Sequence, residues 1–293
     1  MSFEEFTDYI FQNILTGWRE EDTVTIQKTR KNNGVLYTGI YIRRHNQAVT
    51  PAIYLESYYE RYCQNNDMEE IIHDIREEFN WAIRRISDCK FDISTFDKVK
   101  DRIIYRLINY DKNLDLLSSC PHIRLYDLAV TFRWLAHEDS AGISTALITH
   151  KEMKLWKVTL PDILLAAQSN TRRLFPGKII HMDDLLTEIL PGISCKDEQI
   201  PMYIITNEQQ INGATSILYE NLMKDFTREH PGNYFILPSS IHEMILIPED
   251  RIRDSSVLKD IVPEVNKTVV SEGDVLSDSV YYYNMEQDTI SVF

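Results

Sequence analysis

The stretch Tyr234–Asp250, YFILPSSIHEMILIPED, decides how the chain is read. YFIL and MILIP are apolar runs of strand length, too short to repeat at helical spacing. Pro238 has no N–H to give to a ladder and breaks the two runs apart. The segment reads as two short strands joined by a hairpin turn, PSSIHE. That turn also holds Ser239, Ser240, His242 and Glu243 within five residues, the densest set of reactive side chains in the sequence.

Outward toward the N-terminus the pattern alternates between strands and helices. MSFEEF offers Ser2 as a helix cap with Glu5 as its box partner, followed by Phe3, Phe6, Tyr9, Ile10 and Ile14 at helical spacing and Gly17 as a stop. Residues 22–43 predict a hairpin turning at Asn32–Gly34. A short helix is expected around Leu55–Tyr62. Asp67 then caps the best helix of the chain, with Met68, Ile71, Ile72, Ile75, Phe79, Ala82, Ile83 and Ile86 on one stripe; such a stripe is core. RIIYRLINY reads as a strand, LYDLAVTFRWLAH as an apolar run, and GISTALITHKEMKLW as an alternating strand and a turn. Thr159 caps a helix carrying Pro161 and Asp162 in its first turn. Residues 175–199 read as a linker with Pro-Gly breaks. PMYIITNEQQINGATSILY is a strand, a turn at Asn212–Gly213, and a second strand or helix start. A helix stopped by Pro231–Gly232 and a last strand, SVYYYN, complete the chain.

This mixture of hairpins and helices predicts an α+β fold on mainly antiparallel sheet, not a doubly wound parallel one. We expect an N-terminal helix–hairpin–helix unit over residues 1–90. A larger α+β unit over 91–293 would carry two strand-strand-helix elements, a weak internal repeat at about 125–175 and 201–248.

The 293 residues carry enough apolar material, 43%, for a sizeable core. No apolar run approaches the roughly 20 residues that span a bilayer, and the first residues are acidic where a secretory signal is basic. A cytoplasmic protein without a membrane role is expected. Cys63, Cys89, Cys120 and Cys195 match no zinc spacing and read as reduced structural thiols. Net charge is −14, unevenly spread. Residues 91–180 hold 13 basic and 10 acidic side chains, whereas residues 181–293 hold 7 and 20. That balance disfavours direct nucleic-acid binding by the last third, because phosphate contacts need a basic surface.

Six stretches, TPAIYLESYYERY, YRLINYDKN, CPHIRLYDLAV, NGATSILY, YFILPSSIHEMILIP and LSDSVYYYN, resemble the uncharacterised bacterial family known as domain of unknown function 5688, over about residues 3–285. AAQSNTRRL and YIITNEQQINGATSILY are more distantly similar to domain of unknown function 1444. The resemblance implies a bacterial cytosolic protein. It imports no activity and no catalytic residue.

The reactive residues of PSSIHE admit two readings. A Ser–His pair two positions apart on one strand is not how a triad is built, since the base must be held against the nucleophile by groups from distant segments. No G-x-S-x-G elbow occurs. SIHE can instead close locally as an S-x-x-E cap. Ser239, Ser240, His242 and Glu243 remain the catalytic candidates, and Asn212 and Gly213 the ligand-binding ones. His137-Glu138-Asp139 and His181–Asp184 read as a polar loop and a helix cap. No Walker A loop, G-x-G-x-x-G or H-E-x-x-H is present, so neither cofactor nor metal is expected. The leading expectation is a non-catalytic protein-interaction module with an unknown protein partner. One alternative is a hydrolase-type enzyme using the Ser239–His242–Glu243 region. The other is an acidic nucleic-acid mimic that inhibits a nucleic-acid-binding protein.

Overall fold

A computed structural model describes residues 1–16, 22–43, 50–88, 92–139, 142–189 and 200–293; for 85–88, 137–139, 142 and 186–189 it describes the backbone alone. The chain divides into two compact units, Met1–Phe91 and Asp92–Phe293.

In the first unit, α1 (Phe3–Asn13) begins in a capping box. Ser2 Oγ accepts the Glu5 N–H at 3.2 Å, and the Glu5 carboxylate accepts the Ser2 N–H at 2.7 Å. Gly17, the expected stop, lies outside the described residues. At that end Arg76 donates to the carbonyls of Asn13, Ile14 and Thr16, each at 2.9 Å, supplying the partners that the last carbonyls of a helix lack. β1 (Thr23–Arg30) and β2 (Leu36–Arg43) pair antiparallel, Thr23 opposite Arg43 and Arg30 opposite Leu36. Their turn uses Asn33 and Gly34 at φ 57° and 76°, a region open to these two residue types. β3 (Ala52–Tyr54) adds a third strand before α2 (Glu56–Asn65), and α3 (Met68–Asp88) follows. Ile71, Ile75, Phe79 and Ile83 of its stripe are buried with Phe6, Ile10, Ile40 and Ile42.

The second unit opens with the short α4 (Phe96–Val99), β4 (Ile103–Asn109) and α5 (Leu114–Leu117). β5 (His122–Leu125), the long β6 (Leu128–Asp139) and β7 (Gly142–Leu147) complete a four-stranded sheet in which β6 pairs with the other three. Two helices follow, α6 (His150–Trp156) and α7 (Leu160–Leu174). Thr159 caps α7 with Asp162 as box partner. The second sheet uses β8 (Gly177–His181), β9 (Tyr203–Asn207), β10 (Tyr234–Leu237), β11 (Met244–Pro248), β12 (Tyr281–Asn284) and β13 (Thr289–Val292), in the order β13-β12-β10-β11-β9-β8. α8 (Met182–Ile189), α9 (Leu222–Glu229) and α10 (Leu258–Thr268) lie between its strands in sequence. Every pairing among the described residues is antiparallel, so the fold is α+β as the alternation of elements requires. One large core joins the two sheets of this unit through Leu107, Phe132, Ile163, Ile205, Ile236 and Leu246.

Two local expectations need correction, and a third is narrowed. Residues 213–218 form a 3₁₀ helix, the helical of the two forms expected there, so the segment 201–248 runs β9, 3₁₀ turn, α9, β10, β11. The small buried side chains of Gly213, Ala214, Thr215 and Ser216 let that turn pack inside, where periodicity gives no signal. The expected linker 175–199 contains β8 and α8. β8 carries a strand pattern too brief to read, because it is a five-residue edge strand paired only with β9. Residues 150–156, read as a turn, are α6, held by a Thr149–Glu152 capping box.

Candidate functional site

β10 and β11 pair from Tyr234–Pro248 to Leu237–Ile245, which leaves Pro238–Glu243 as the connecting turn. Ser240 organises it. Its hydroxyl accepts the N–H groups of His242 at 3.0 Å and Glu243 at 3.3 Å and donates to Glu243 Oε1 at 2.8 Å. The Ser240 N–H also donates to the Glu243 carbonyl at 3.2 Å. This is local S-x-x-E bonding of the kind that caps a helical turn.

The candidates from the other segment meet this turn. The Asn212 N–H donates to His242 Nδ1 at 3.3 Å, and Thr206 Oγ1 donates to the His242 carbonyl at 2.9 Å. Because Nδ1 accepts, the imidazole proton sits on Nε2, 3.7 Å from Asp274 Oδ1. The Ile241 N–H donates to the Asp274 carbonyl at 2.8 Å. Gly213 lies so close that a Cβ there would stand 2.5 Å from the His242 carbonyl oxygen and 2.7 Å from the Asn207 nitrogen. Ser240, His242, Glu243, Asn212 and Gly213 are thus one cluster joined largely through backbone groups. The imidazole faces an amide and a carboxylate. Asp274, which the sequence reading missed, belongs to the cluster. It is 31 residues beyond Glu243, and no short motif contains both.

Two openings flank the turn, and Ser239 and Ile245 line both. One, of about 550 Å³, holds the polar side chains Thr206, Ser240, His242, Glu243 and Asp274 beside Ile180 and Val269. The other, of about 650 Å³, runs between β11 and α10 and is lined mainly by apolar side chains, with Arg251, Arg253 and Asp254 also in its wall. Leu258 and Val262 of α10 are buried against Phe235, Leu237 and Ile247. Val257, Ile261, Val265 and Val269, four residues apart, are 43%, 46%, 38% and 77% exposed. Spacing of four keeps Ile261 and Val265 on one side of α10, with Val257 and Val269 at its two caps.

A third feature lies on the four-stranded sheet. Ile104 pairs with Arg133 and Arg106 with Thr131, so Arg106 and Arg133 are diagonal neighbours on one face. They line a small cavity of about 20 Å³ with Thr145, Asn207, Asn212 and Thr215. Arg133 Nε donates to Thr145 Oγ1 at 2.7 Å. Arg106 Nε is buried without a partner. Burial and the neighbouring Arg133 charge push the Arg106 guanidinium down to about 10, against an opposing pull from Asp274. Burial also lowers Arg133. The sequence held a signal for this pair, since each arginine interrupts an otherwise apolar strand run.

Among the described residues no group of three or more His, Cys, Asp or Glu is arranged to hold a metal ion. His181 Nδ1 accepts the Asp183 N–H at 3.2 Å at the start of α8. The side chains of His137, Glu138 and Asp139 lie outside the described ones. No described helix is long and apolar enough to cross a membrane.

The chain matches the family described as "Family of unknown function (DUF5688)" over residues 3–285, and it belongs to that family. No curated protein and no solved structure matches it.

Proposed function

We propose that this DUF5688 member is a non-catalytic interaction protein that takes an apolar segment of a partner protein, flanked by basic residues, in the groove along α10. The observation that carries the reading is the exposed row Val257, Ile261 and Val265 along a mainly apolar groove of about 650 Å³. Contiguous exposed apolar surface is characteristic of recognition sites, and residues spaced by four along a helix form the kind of groove wall that receives another amphipathic segment. The partner's charge follows from composition. Residues 181–293 hold 20 acidic and 7 basic side chains, a field that steers a basic partner and repels an acidic one.

Support for a non-catalytic reading comes from the bonding of the turn. Ser240 spends its hydroxyl on two amides and Glu243, and the His242 imidazole takes an amide and faces Asp274. A hydrolase would need that imidazole against a nucleophile. The acidic last third is also what the nucleic-acid-mimic reading rests on; here the same charge selects the partner's flanks.

The test is an Ile261→Asp/Val265→Asp double variant. Both positions are exposed, so urea unfolding is expected to stay near wild type, while binding of bis-ANS to the native protein falls at least fivefold. Unchanged dye binding would remove the groove from consideration. Turnover of p-nitrophenyl acetate or bis(p-nitrophenyl) phosphate that disappears in His242→Ala would replace this reading with the hydrolase one.

A further inference from the structure

We infer that Arg106 and Arg133 form a binding site for one small oxyanion, phosphate or a group of like size and charge, separate from the α10 groove. The premise is a pair of positive charges with no carboxylate at bonding distance. Two guanidiniums share one sheet face as diagonal neighbours, and among the described residues neither has a carboxylate within salt-bridge distance. Arg106 Nε is buried and has no acceptor. Arg133 is bonded by Thr145 alone, through the hydroxyl at 2.7 Å and the carbonyl at 3.4 Å. Both side chains are half-buried, and a partly desolvated charge without a bonded counter-charge is costly to a fold, while the unfilled buried Nε donor adds its own desolvation penalty. An anion in the cavity removes both costs at once.

The chemistry of the walls sets the ligand class. Arginine forks match the paired oxygens of phosphate and carboxylate groups and bind them bidentately. Thr145, Thr215 and Asn212 add hydroxyl and amide groups to the lining. The free space of about 20 Å³ is that of one or two waters, so it encloses only the one or two oxygens of the anion that face the arginines, and the rest of the ligand lies outside the enclosed space. Asp274 is the nearby acid whose field reaches Arg106, and it stands beyond ion-pair distance. It limits the site to one anion and weakens binding of a more highly charged one. Asp274 also faces His242, and Asn212 both lines the cavity and donates to His242, so the cavity adjoins the turn.

The experiment uses the full chain in a chloride buffer of fixed ionic strength. Phosphate is added, and the Nε–H signals of ¹⁵N-arginine-labelled protein are followed by NMR. Arg106→Lys and Arg133→Lys identify the two signals by their loss. Saturable shifts of both Nε–H resonances with phosphate, together with a rise of about 3–6 °C in the thermal midpoint at tenfold over the dissociation constant, are expected. Arg106→Met should unfold no more easily in chloride than wild type and should lose the phosphate-dependent rise. Phenyl phosphate distinguishes the source. Equal shifts mean that the cavity takes the headgroup of a larger molecule, and shifts with inorganic phosphate alone mean that it takes the free ion. Nε–H signals of Arg106 and Arg133 that do not move with any of these anions in the wild-type protein overturn the inference. So does a thermal rise that persists undiminished in Arg106→Met, which would locate the binding elsewhere.

Discussion

The Tyr281 phenol donates a hydrogen bond to the Asp127 carboxylate across 154 residues of sequence. Ser277 and Ser279 donate to the other carboxylate oxygen, Ser279 at 3.0 Å. Asp127 therefore gathers three hydroxyls from LSDSVYYYN onto the β5–β6 turn, and Asn109 adds a bond to the Leu276 carbonyl at 3.0 Å. Two of the stretches that carry the family resemblance meet at this one residue.

Replacing Asp127 should show how much the second unit depends on that meeting. Asp127→Ala strands the hydroxyls of Ser277 and Tyr281, which are buried, and is expected to cost about 2–4 kcal/mol, since bonds to an ionised acceptor are worth more than neutral ones. Asp127→Asn keeps the shape and should cost about half as much. Urea unfolding measures both; a loss below about 0.5 kcal/mol for Asp127→Ala would mean that the hydroxyls find other partners.

Gly213→Ala should be destabilising for a steric reason alone. A Cβ would meet Thr206 Oγ1 at 2.2 Å and the His242 carbonyl at 2.5 Å, within the contact where Thr206 holds the turn. Overpacking of this kind costs about 1–3 kcal/mol. The shift in urea midpoint reports it, and the His242 side-chain NMR signals should move with it. A variant as stable as wild type would show that the two loops can separate freely.

Stability should fall in alkali. Burial pushes Tyr219 and Tyr234 up to about 12, and raises Tyr105 and Tyr281 as well. A folded-state pKa above the unfolded value of 10 stabilises the protein fully below pH 10 and loses that contribution as pH rises toward 12. The loss is about 1.4 kcal/mol per pH unit for each such tyrosine. Urea midpoints at pH 8, 9 and 11 should be nearly level between the first two and drop at the third. A midpoint that holds at pH 11 would contradict the burial of these phenols.

The two described thiols should differ in reactivity. Cys63 is exposed, whereas Cys120 is buried and its thiol is pushed up to about 11. The thiolate is the reacting species, so Cys120 is almost all unreactive thiol at pH 8. Iodoacetamide followed by peptide mass mapping should modify Cys63 in the native protein and Cys120 only after unfolding. Native modification of Cys120 at a similar rate would place it at the surface.

What was legible in the sequence was local. Ser2 with Glu5, Thr159 with Asp162, and the stripe of α3 announce their helices because capping and periodicity act within a few residues. YFIL and MILIP announce β10 and β11 for the same reason. β8 stayed hidden because it is a brief edge strand, and 213–218 could be read only as strand or helix start because its small side chains are chosen for fit. The candidate site divides in the same way. Ser240 with Glu243 is a spacing of three and could be read. The approach of Asn212 to His242, and of Asp274 to His242 and the Ile241 N–H, is made by the fold. Arg106 and Arg133 were readable as charges inside apolar strands, but their lack of counter-charge appears only when the facing loops are in place.

The interaction reading is tested most directly by selecting random phage-displayed peptides on the native protein, with the Ile261→Asp/Val265→Asp variant as counter-selection. The account predicts peptides with apolar residues three or four apart and Lys or Arg flanks. They should bind at least tenfold more weakly to the variant and lose affinity as salt rises. Peptides that bind the variant as well as wild type, or no enriched sequence class at all, would contradict it.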